Sequence, residues 1–196
     1  MIIDEQKAIF IHIPKNAGTS IRQYFGQSLG VVKYGIKKHD DVHAIKIKIR
    51  DSRRLYNRFA IVRDPYDRMV SWYFFVKLYI KSQKTNIEFD FKQWIKNPFK
   101  ESYKKEKLYE NWLNLHKDLL FRPQYTWVTP SKWPVTILKY ENLKEELNKF
   151  FEKEINLPTV NKTEHEHYLK YYDKESLDIV YEKYKEDFEK FNYKKL

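Results

Sequence analysis

The chain contains no cysteine, which excludes disulfides, thiolate catalysis and cysteine-ligated metal sites. No stretch approaches the ~18 consecutive apolar residues that a membrane-spanning helix requires. The opening residues, MIIDEQK, lack the basic n-region and the long apolar h-region of a signal peptide. We therefore expect a cytoplasmic protein without a transmembrane segment.

Acidic residues are in the minority, with 27 Asp and Glu against 38 Lys and Arg and a net charge of +11. A basic protein attracts polyanions such as nucleic acid, phosphate cofactors and acidic glycans. The lysines are spread along the chain without a long basic block, so most of them are expected on a solvated surface. A length of 196 residues with 42% hydrophobic content predicts a single domain over residues 1–196.

Apolar runs alternate with stretches of helical periodicity. The runs at residues 8–13, 59–62 and 135–138 predict buried strands. Helical spacing predicts helices at about 19–27, from 65 onward, within 88–116 with a break at Pro98, at about 143–153 and at about 177–191. Residues 45–49 alternate Ile with Lys, which predicts a strand, although a short helix can carry the same residues. Strands alternating with helices indicate an α/β domain with a mainly parallel sheet.

The turn after the first strand has the composition of an anion site. A lysine, a glycine and two hydroxyls lie between strand and helix, where backbone N–H groups converge. The Lys15 ammonium, the Thr19 and Ser20 hydroxyls and the backbone N–H groups from Ala17 to Ser20, with Gly18 among them, are expected to surround the anion. Because Lys15 precedes Gly18, the GxxxxGK[ST] motif of nucleoside triphosphatases is absent. The alternative is that Thr19 or Ser20 only caps the helix and Lys15 is a surface cation.

A second turn follows the strand at residues 59–62. Asp64 and Pro65 have the pattern of an N-cap and the first helical position. Arg63 at the strand end and Ser71 on the next helix can together hold one phosphate. The alternative is that Arg63 pairs with a nearby aspartate and Ser71 is a surface serine. Because both turns follow strands, they are expected at the same sheet edge, which suits a ligand with two anionic ends.

These two segments resemble those of a known family. Residues 13–20, IPKNAGTS, resemble the 5′-phosphosulfate-binding loop of sulfotransferases, and residues 59–73, FAIVRDPYDRMVSWY, resemble their 3′-phosphate-binding segment. The resemblance is to the carbohydrate sulfotransferases, a group that includes heparan 2-O-sulfating enzymes and small bacterial relatives. The tail from Val160 to Phe191 is also similar to that group.

The resemblance implies a P-loop-like three-layer fold with a central, mainly parallel sheet flanked by helices. It implies 3′-phosphoadenosine-5′-phosphosulfate (PAPS) as sulfuryl donor, no metal, and an acceptor glycan or other hydroxyl-bearing molecule. An acceptor hydroxyl would attack sulfur in line, and Lys15 would stabilise the charge on the bridging oxygen. The turn from Pro14 to Ser20, including Asn16, would hold the 5′-phosphosulfate, and Lys162 and Thr163 would close over the adenosine bisphosphate.

The resemblance also places a catalytic histidine between the two segments. Lys38-His39 is similar to its setting, so we assign the base to His39, with His43 as the second candidate. Spaced four apart, the two histidines can share a helix face, but no third metal ligand is apparent. His12, in the first strand, is expected to be a packed core residue.

Two other functions are compatible with parts of the sequence. A small-molecule or nucleotide kinase would need the missing GK[ST], and Pro65 makes Asp64 a cap rather than a metal ligand. A basic nucleic-acid-binding module would need a recognised motif, and none is present, so no nucleic-acid partner is expected. Arg122 and Gln124 can orient acceptor or cofactor, although an ordinary loop is the simpler interpretation.

Overall fold

The computed structural model describes residues 1–26, 35–49, 52–82, 90–97, 107–129, 132–158, 160 and 165–196. They form two compact units, Met1–Arg63 with Gln124–Lys162 and Asp64–Pro123 with Thr163–Leu196. The single domain expected over residues 1–196 stays a prediction.

The regular elements of the described residues confirm an α/β protein. The strands are β1 Ile2–Ile3, β2 Ala8–Ile11, β3 Asn57–Val62 and β4 Thr136–Lys139. The α-helices are α1 Gly18–Tyr24, α2 Val42–Lys48, α3 Pro65–Ser82, α4 Phe91–Lys96, α5 Lys107–Leu120, α6 Leu143–Phe151 and α7 Lys174–Lys190. None of the helices in this part of the chain is both long and apolar enough to cross a bilayer.

The sheet lies in the first unit, in the order β1-β2-β3-β4. β1 runs antiparallel to β2, whereas β2, β3 and β4 are mutually parallel, which confirms the predicted mainly parallel sheet. Every residue of β2 is fully buried, as is each β3 residue from Phe59 to Val62. Central parallel strands are covered on both faces, which explains why these segments are continuous apolar runs.

Helix α2 covers residues for which the alternation of Ile and Lys predicted a strand at 45–49. The strand prediction was therefore wrong. Asp41 precedes the helix, and its carboxylate accepts a hydrogen bond from the Ala44 N–H at 3.0 Å. Val42 and Ile45 are buried, whereas the Ile47 side chain is 70% exposed. The apolar face therefore follows the three-to-four-residue spacing that begins at Val42, and the N-cap favours the helix over the strand.

The core of the first unit is aromatic and aliphatic. Phe10 and Phe59 stack across β2 and β3 with ring centroids 5.0 Å apart, and the Phe150 ring of α6 lies 4.8 Å from that of Phe59. Ile21 of α1 and Leu138 of β4 belong to the same buried cluster. This packing holds the carboxyl ends of β2 and β3, from which the two predicted anion-binding turns leave.

The second unit packs helices around tryptophan and tyrosine side chains. Trp72, Trp94 and Trp112 are buried in one cluster with Tyr184 of α7. The first helix of the second unit, α3, begins as predicted. The Asp64 carboxylate accepts a hydrogen bond from the Tyr66 N–H at 2.8 Å, and Pro65 is the first helical residue.

Candidate active site

The turn between β2 and α1 has a strained backbone. Lys15 and Ala17 adopt left-handed conformations with φ of 71° and 56°. Such conformations cost non-glycine residues about 1–3 kcal/mol each and persist only where the surroundings hold them.

Asn16 supplies the anchor between these two residues. Its side chain is fully buried, and its Nδ2 donates to the Ile61 carbonyl at 2.7 Å and to Gln124 Oε1 at 2.7 Å. The turn is thereby fixed to the end of β3. The side-chain amide of Asn16 binds protein groups, and its predicted contact with an anion stays a prediction.

Lys15 lies in an electropositive environment. Burial lowers the pKa of its ammonium to about 7, and the positive charges of Arg63 and Lys38 act in the same direction. Its backbone carbonyl accepts a hydrogen bond of 3.2 Å from Arg63 Nη1. An anion that entered here would relieve the repulsion between these cations.

Arg63 is held at both its main chain and its guanidinium. Its N–H donates to Gln124 Oε1 at 3.0 Å, and its carbonyl accepts from Gln124 Nε2 at 2.8 Å. The guanidinium carbon lies 4.2 Å from the centroid of the Tyr140 ring. Only 8% of Arg63 is exposed, so this charged residue is buried directly after the last residue of β3.

Gly18 is required by a close approach of His12. A Cβ added to Gly18 would lie 1.8 Å from His12 Nε2, so the imidazole fills the space that a side chain would need. His12 is 4% exposed, which confirms that it is a packed residue. Burial, together with neighbouring His39, holds the pKa of His12 well below its usual range, so His12 is neutral.

His39 adjoins this turn through His12. Their ring centroids lie 4.6 Å apart, and His39 Nδ1 is 3.1 Å from the His12 carbonyl oxygen. Because a carbonyl only accepts, Nδ1 carries the hydrogen and the lone pair of neutral His39 lies on Nε2. The second candidate, His43, is exposed on α2. His39 precedes the first residue of α2, so the idea that one helix face presents both histidines was wrong.

The remaining predicted residues are distributed as follows. Thr19 is partly buried and Ser20 buried on α1, and Pro14 is buried before it. Ser71 belongs to the second unit, where it is buried on α3 and is therefore not a surface serine. Lys162 and Thr163 lie outside the described residues.

Across the described ranges, no group of three His, Asp or Glu side chains is arranged to hold a metal ion.

The contacts of Gln124 were not predictable from the sequence, which indicated only a loop residue that can orient acceptor or cofactor. In the structure Gln124 starts a 3₁₀ helix, is fully buried and hydrogen-bonds to Asn16 and Arg63. The only local signal was a polar residue directly after Pro123, which any exposed loop can contain.

Comparison with known proteins identifies the family. A search of curated proteins and a search of solved structures each found no match. The family model described as the sulfotransferase family matches residues 1–194, which include the Lys15 turn, His39 and Arg63. The resemblance drawn from residues 13–20 and 59–73 is thereby confirmed. The chain belongs to the sulfotransferase family, whose reaction is the transfer of a sulfuryl group.

Proposed function

We propose that this protein transfers a sulfuryl group from PAPS to an acceptor hydroxyl on a carbohydrate. The observation that carries the proposal is the pair of cations in the turns after β2 and β3. Arg63 Nη1 donates a hydrogen bond to the Lys15 carbonyl at 3.2 Å, and burial, together with the positive charge of Arg63, lowers the pKa of the Lys15 ammonium to about 7. A buried Arg63 and a partly buried Lys15 that repel each other favour a ligand that brings negative charge to both.

Lys15 acts on the 5′-phosphosulfate end of the donor. In the turn that it shares with Pro14 and Asn16, the backbone N–H groups of residues 17–20 and the hydroxyls of Thr19 and Ser20 surround the phosphosulfate oxygens. As the S–O bond to the 5′-phosphate breaks, negative charge collects on the bridging oxygen, and the ammonium of Lys15 stabilises it. The protein thus contributes positioning and electrostatic stabilisation.

Arg63 binds the 3′-phosphate. Its guanidinium stacks on Tyr140 and presents several N–H donors in one plane, the geometry that suits bidentate contact with phosphate. Ser71, Lys162 and Thr163 stay predictions for the same donor, from the sequence and the resemblance.

His39 is the general base. The hydrogen bond from Nδ1 to the His12 carbonyl orients the ring and leaves the Nε2 lone pair to take the proton of the acceptor hydroxyl. The acceptor oxygen forms its bond to sulfur as the bond to the leaving oxygen breaks, and adenosine-3′,5′-bisphosphate departs with the charge. The carbohydrate acceptor is inferred from the resemblance to carbohydrate sulfotransferases.

Thermal unfolding with adenosine-3′,5′-bisphosphate, against Mg-ATP and against RNA, tests the donor. We expect the bisphosphate to stabilise the protein without magnesium, by about 2.7 kcal/mol at 100 times its Kd. Arg63→Ala should lose most of this stabilisation. Arg58→Ala is the matched control, because Arg58 lies on β3 and also stacks on an aromatic ring, that of Trp133 at 4.8 Å.

Stabilisation by Mg-ATP alone would instead indicate a kinase, and salt-dependent RNA binding without a response to the bisphosphate would indicate a nucleic-acid-binding protein. Radiolabelled PAPS offered with a panel of glycans and simple alcohols then identifies the acceptor. Transfer to alcohols but to no glycan would contradict the carbohydrate assignment.

A further inference from the structure

The carboxamide of Gln124 uses its hydrogen-bonding capacity on the two turns at once. Its oxygen accepts from Asn16 Nδ2 at 2.7 Å and from the Arg63 N–H at 3.0 Å, and its nitrogen donates to the Arg63 carbonyl at 2.8 Å. Gln124 is fully buried, so solvent does not compete for these bonds. A buried amide with three short hydrogen bonds fixes its partners in position.

The hydrogen bonds of Gln124 and Asn16 lie just beyond the last paired residues of the parallel strands. The last β3–β4 pair is Val62 with Lys139, and Gln124 bonds both main-chain groups of the next residue, Arg63. The last β2–β3 pair is Ile11 with Ala60, and Asn16 bonds the carbonyl of the next residue, Ile61. Side-chain amides thus take the place of strand neighbours at the sheet edge.

These hydrogen bonds form a closed ring that includes both Lys15 and Arg63. The Asn16 side chain donates a hydrogen bond to Gln124, and Gln124 donates one to the Arg63 carbonyl. The Arg63 guanidinium in turn donates a hydrogen bond to the carbonyl of Lys15, the residue that precedes Asn16 in the chain. Removing Gln124 opens the ring and leaves buried N–H and C=O groups without these partners. Lys15 and Arg63 would then lose their fixed separation.

We propose that Gln124 is a positioning residue for sulfuryl transfer, which sets the separation of Lys15 and Arg63 through Asn16 and the Arg63 main chain. This inference rests on the proposed function of the Lys15 turn. Gln124 acts through these neighbours and needs no contact with the donor.

The first test is Gln124→Met, which keeps the length of the side chain and removes its hydrogen bonds. Gln93→Met is the matched control, because Gln93 is exposed on α4. At a temperature where both variants are fully folded, kcat should fall by about 10²-fold for Gln124→Met, as expected for a small misplacement of reacting groups. The Kd for adenosine-3′,5′-bisphosphate should rise much less. An unchanged kcat in the folded Gln124→Met variant would overturn the proposal.

The second test is Gln124→Glu, whose readout is the pH dependence of activity, which a merely structural role would not change. This variant also replaces the first test if Gln124→Met does not fold. A neutral carboxylic acid keeps one donor for the Arg63 carbonyl, whereas a carboxylate keeps none. The activity of Gln124→Glu relative to wild type should therefore rise as pH falls. A ratio that is independent of pH would contradict the proposal.

A third measurement separates this proposal from the proposed function, because it needs no PAPS. Acylation of Lys15 by an amine reagent, followed by mass spectrometry across pH, reports the pKa of its ammonium. In Gln124→Met the profile should shift to higher pH, since a displaced Arg63 repels the ammonium less. A shifted profile in a protein that never uses PAPS would support the positioning role and reject PAPS as donor. An unshifted profile would reject the positioning role whatever the donor.

Discussion

The two seven-residue helices of the first unit begin in opposite ways. Helix α2 has Asp41 as its N-cap in an extended conformation, with the carboxylate bonded to the Ala44 N–H. Helix α1 has Ala17 as its N-cap in a left-handed conformation, with no side-chain cap bond. A good N-cap stabilises a helix by about 1 kcal/mol, and strain at Lys15 and Ala17 costs more. Local stability is therefore given up at the start of α1, where the phosphosulfate is proposed to bind.

The largest effect is expected for His39→Ala, in the segment that leads into α2. Because His39 is proposed to take the acceptor proton, turnover should fall by about 10²–10⁴-fold while affinity for adenosine-3′,5′-bisphosphate stays nearly unchanged. Steady-state kinetics and calorimetric titration check both parts. His43→Ala, on α2 itself, should retain activity. If His43→Ala loses turnover and His39→Ala does not, the base is His43.

Lys15→Ala should reduce turnover by about 10²–10³-fold, because charge on the leaving oxygen loses its stabilising cation. Lys46→Ala is the matched control, since Lys46 is exposed on α2. Equal activity in the two variants would place the functional lysine elsewhere.

Gly18→Ala tests why α1 begins as it does. In most helices this change is stabilising by about 1 kcal/mol. Here the added Cβ would meet the His12 ring at 1.8 Å, so the free energy of unfolding should fall by about 1–3 kcal/mol. Urea unfolding measures the change. A stabilised variant would show that His12 moves aside without cost.

The pH dependence of binding follows from Lys15. Because its pKa is lowered to about 7, the free protein loses this charge as pH rises past 7, and the affinity for the bisphosphate should decline by up to about tenfold per pH unit. In the absence of ligand the sign is opposite. Between about 7 and the ordinary value of 10.5 the unfolded chain binds more protons at this lysine, so its contribution to stability rises with pH. Titrations across pH should show no such slope in Lys15→Ala.

The smallest effect is expected for the loss of the Asp41 N-cap of α2. Asp41→Ala should lower the free energy of unfolding by about 1 kcal/mol through the lost bond to Ala44. Transfer activity should be unchanged, because the Asp41 carboxylate caps α2 and has no role in the proposed reaction. A large loss of transfer would show that the start of α2 also belongs to the site.

Much of the fold could be predicted from local sequence. The apolar runs located β2, β3 and β4, and the Asp64-Pro65 pattern located the start of α3. The alternation at 45–49 misled, because period two over five residues does not outweigh an N-cap and a buried Val42 three residues before Ile45. Lys15 and Arg63 were predicted as site residues because each lies in a turn that follows a buried strand, and their contacts with the donor stay predictions.

What the sequence determined by itself were β2, β3 and β4 and the start of α3 at Asp64-Pro65, because periodicity and capping act over a few neighbouring residues. Only the tertiary structure decided that Gln124, 108 positions from Asn16 and 61 from Arg63, joins the two turns. It also decided the lowered pKa of Lys15 and the fit of His12 against Gly18. Burial and charge repulsion depend on which distant segments meet, and no local pattern carries that information.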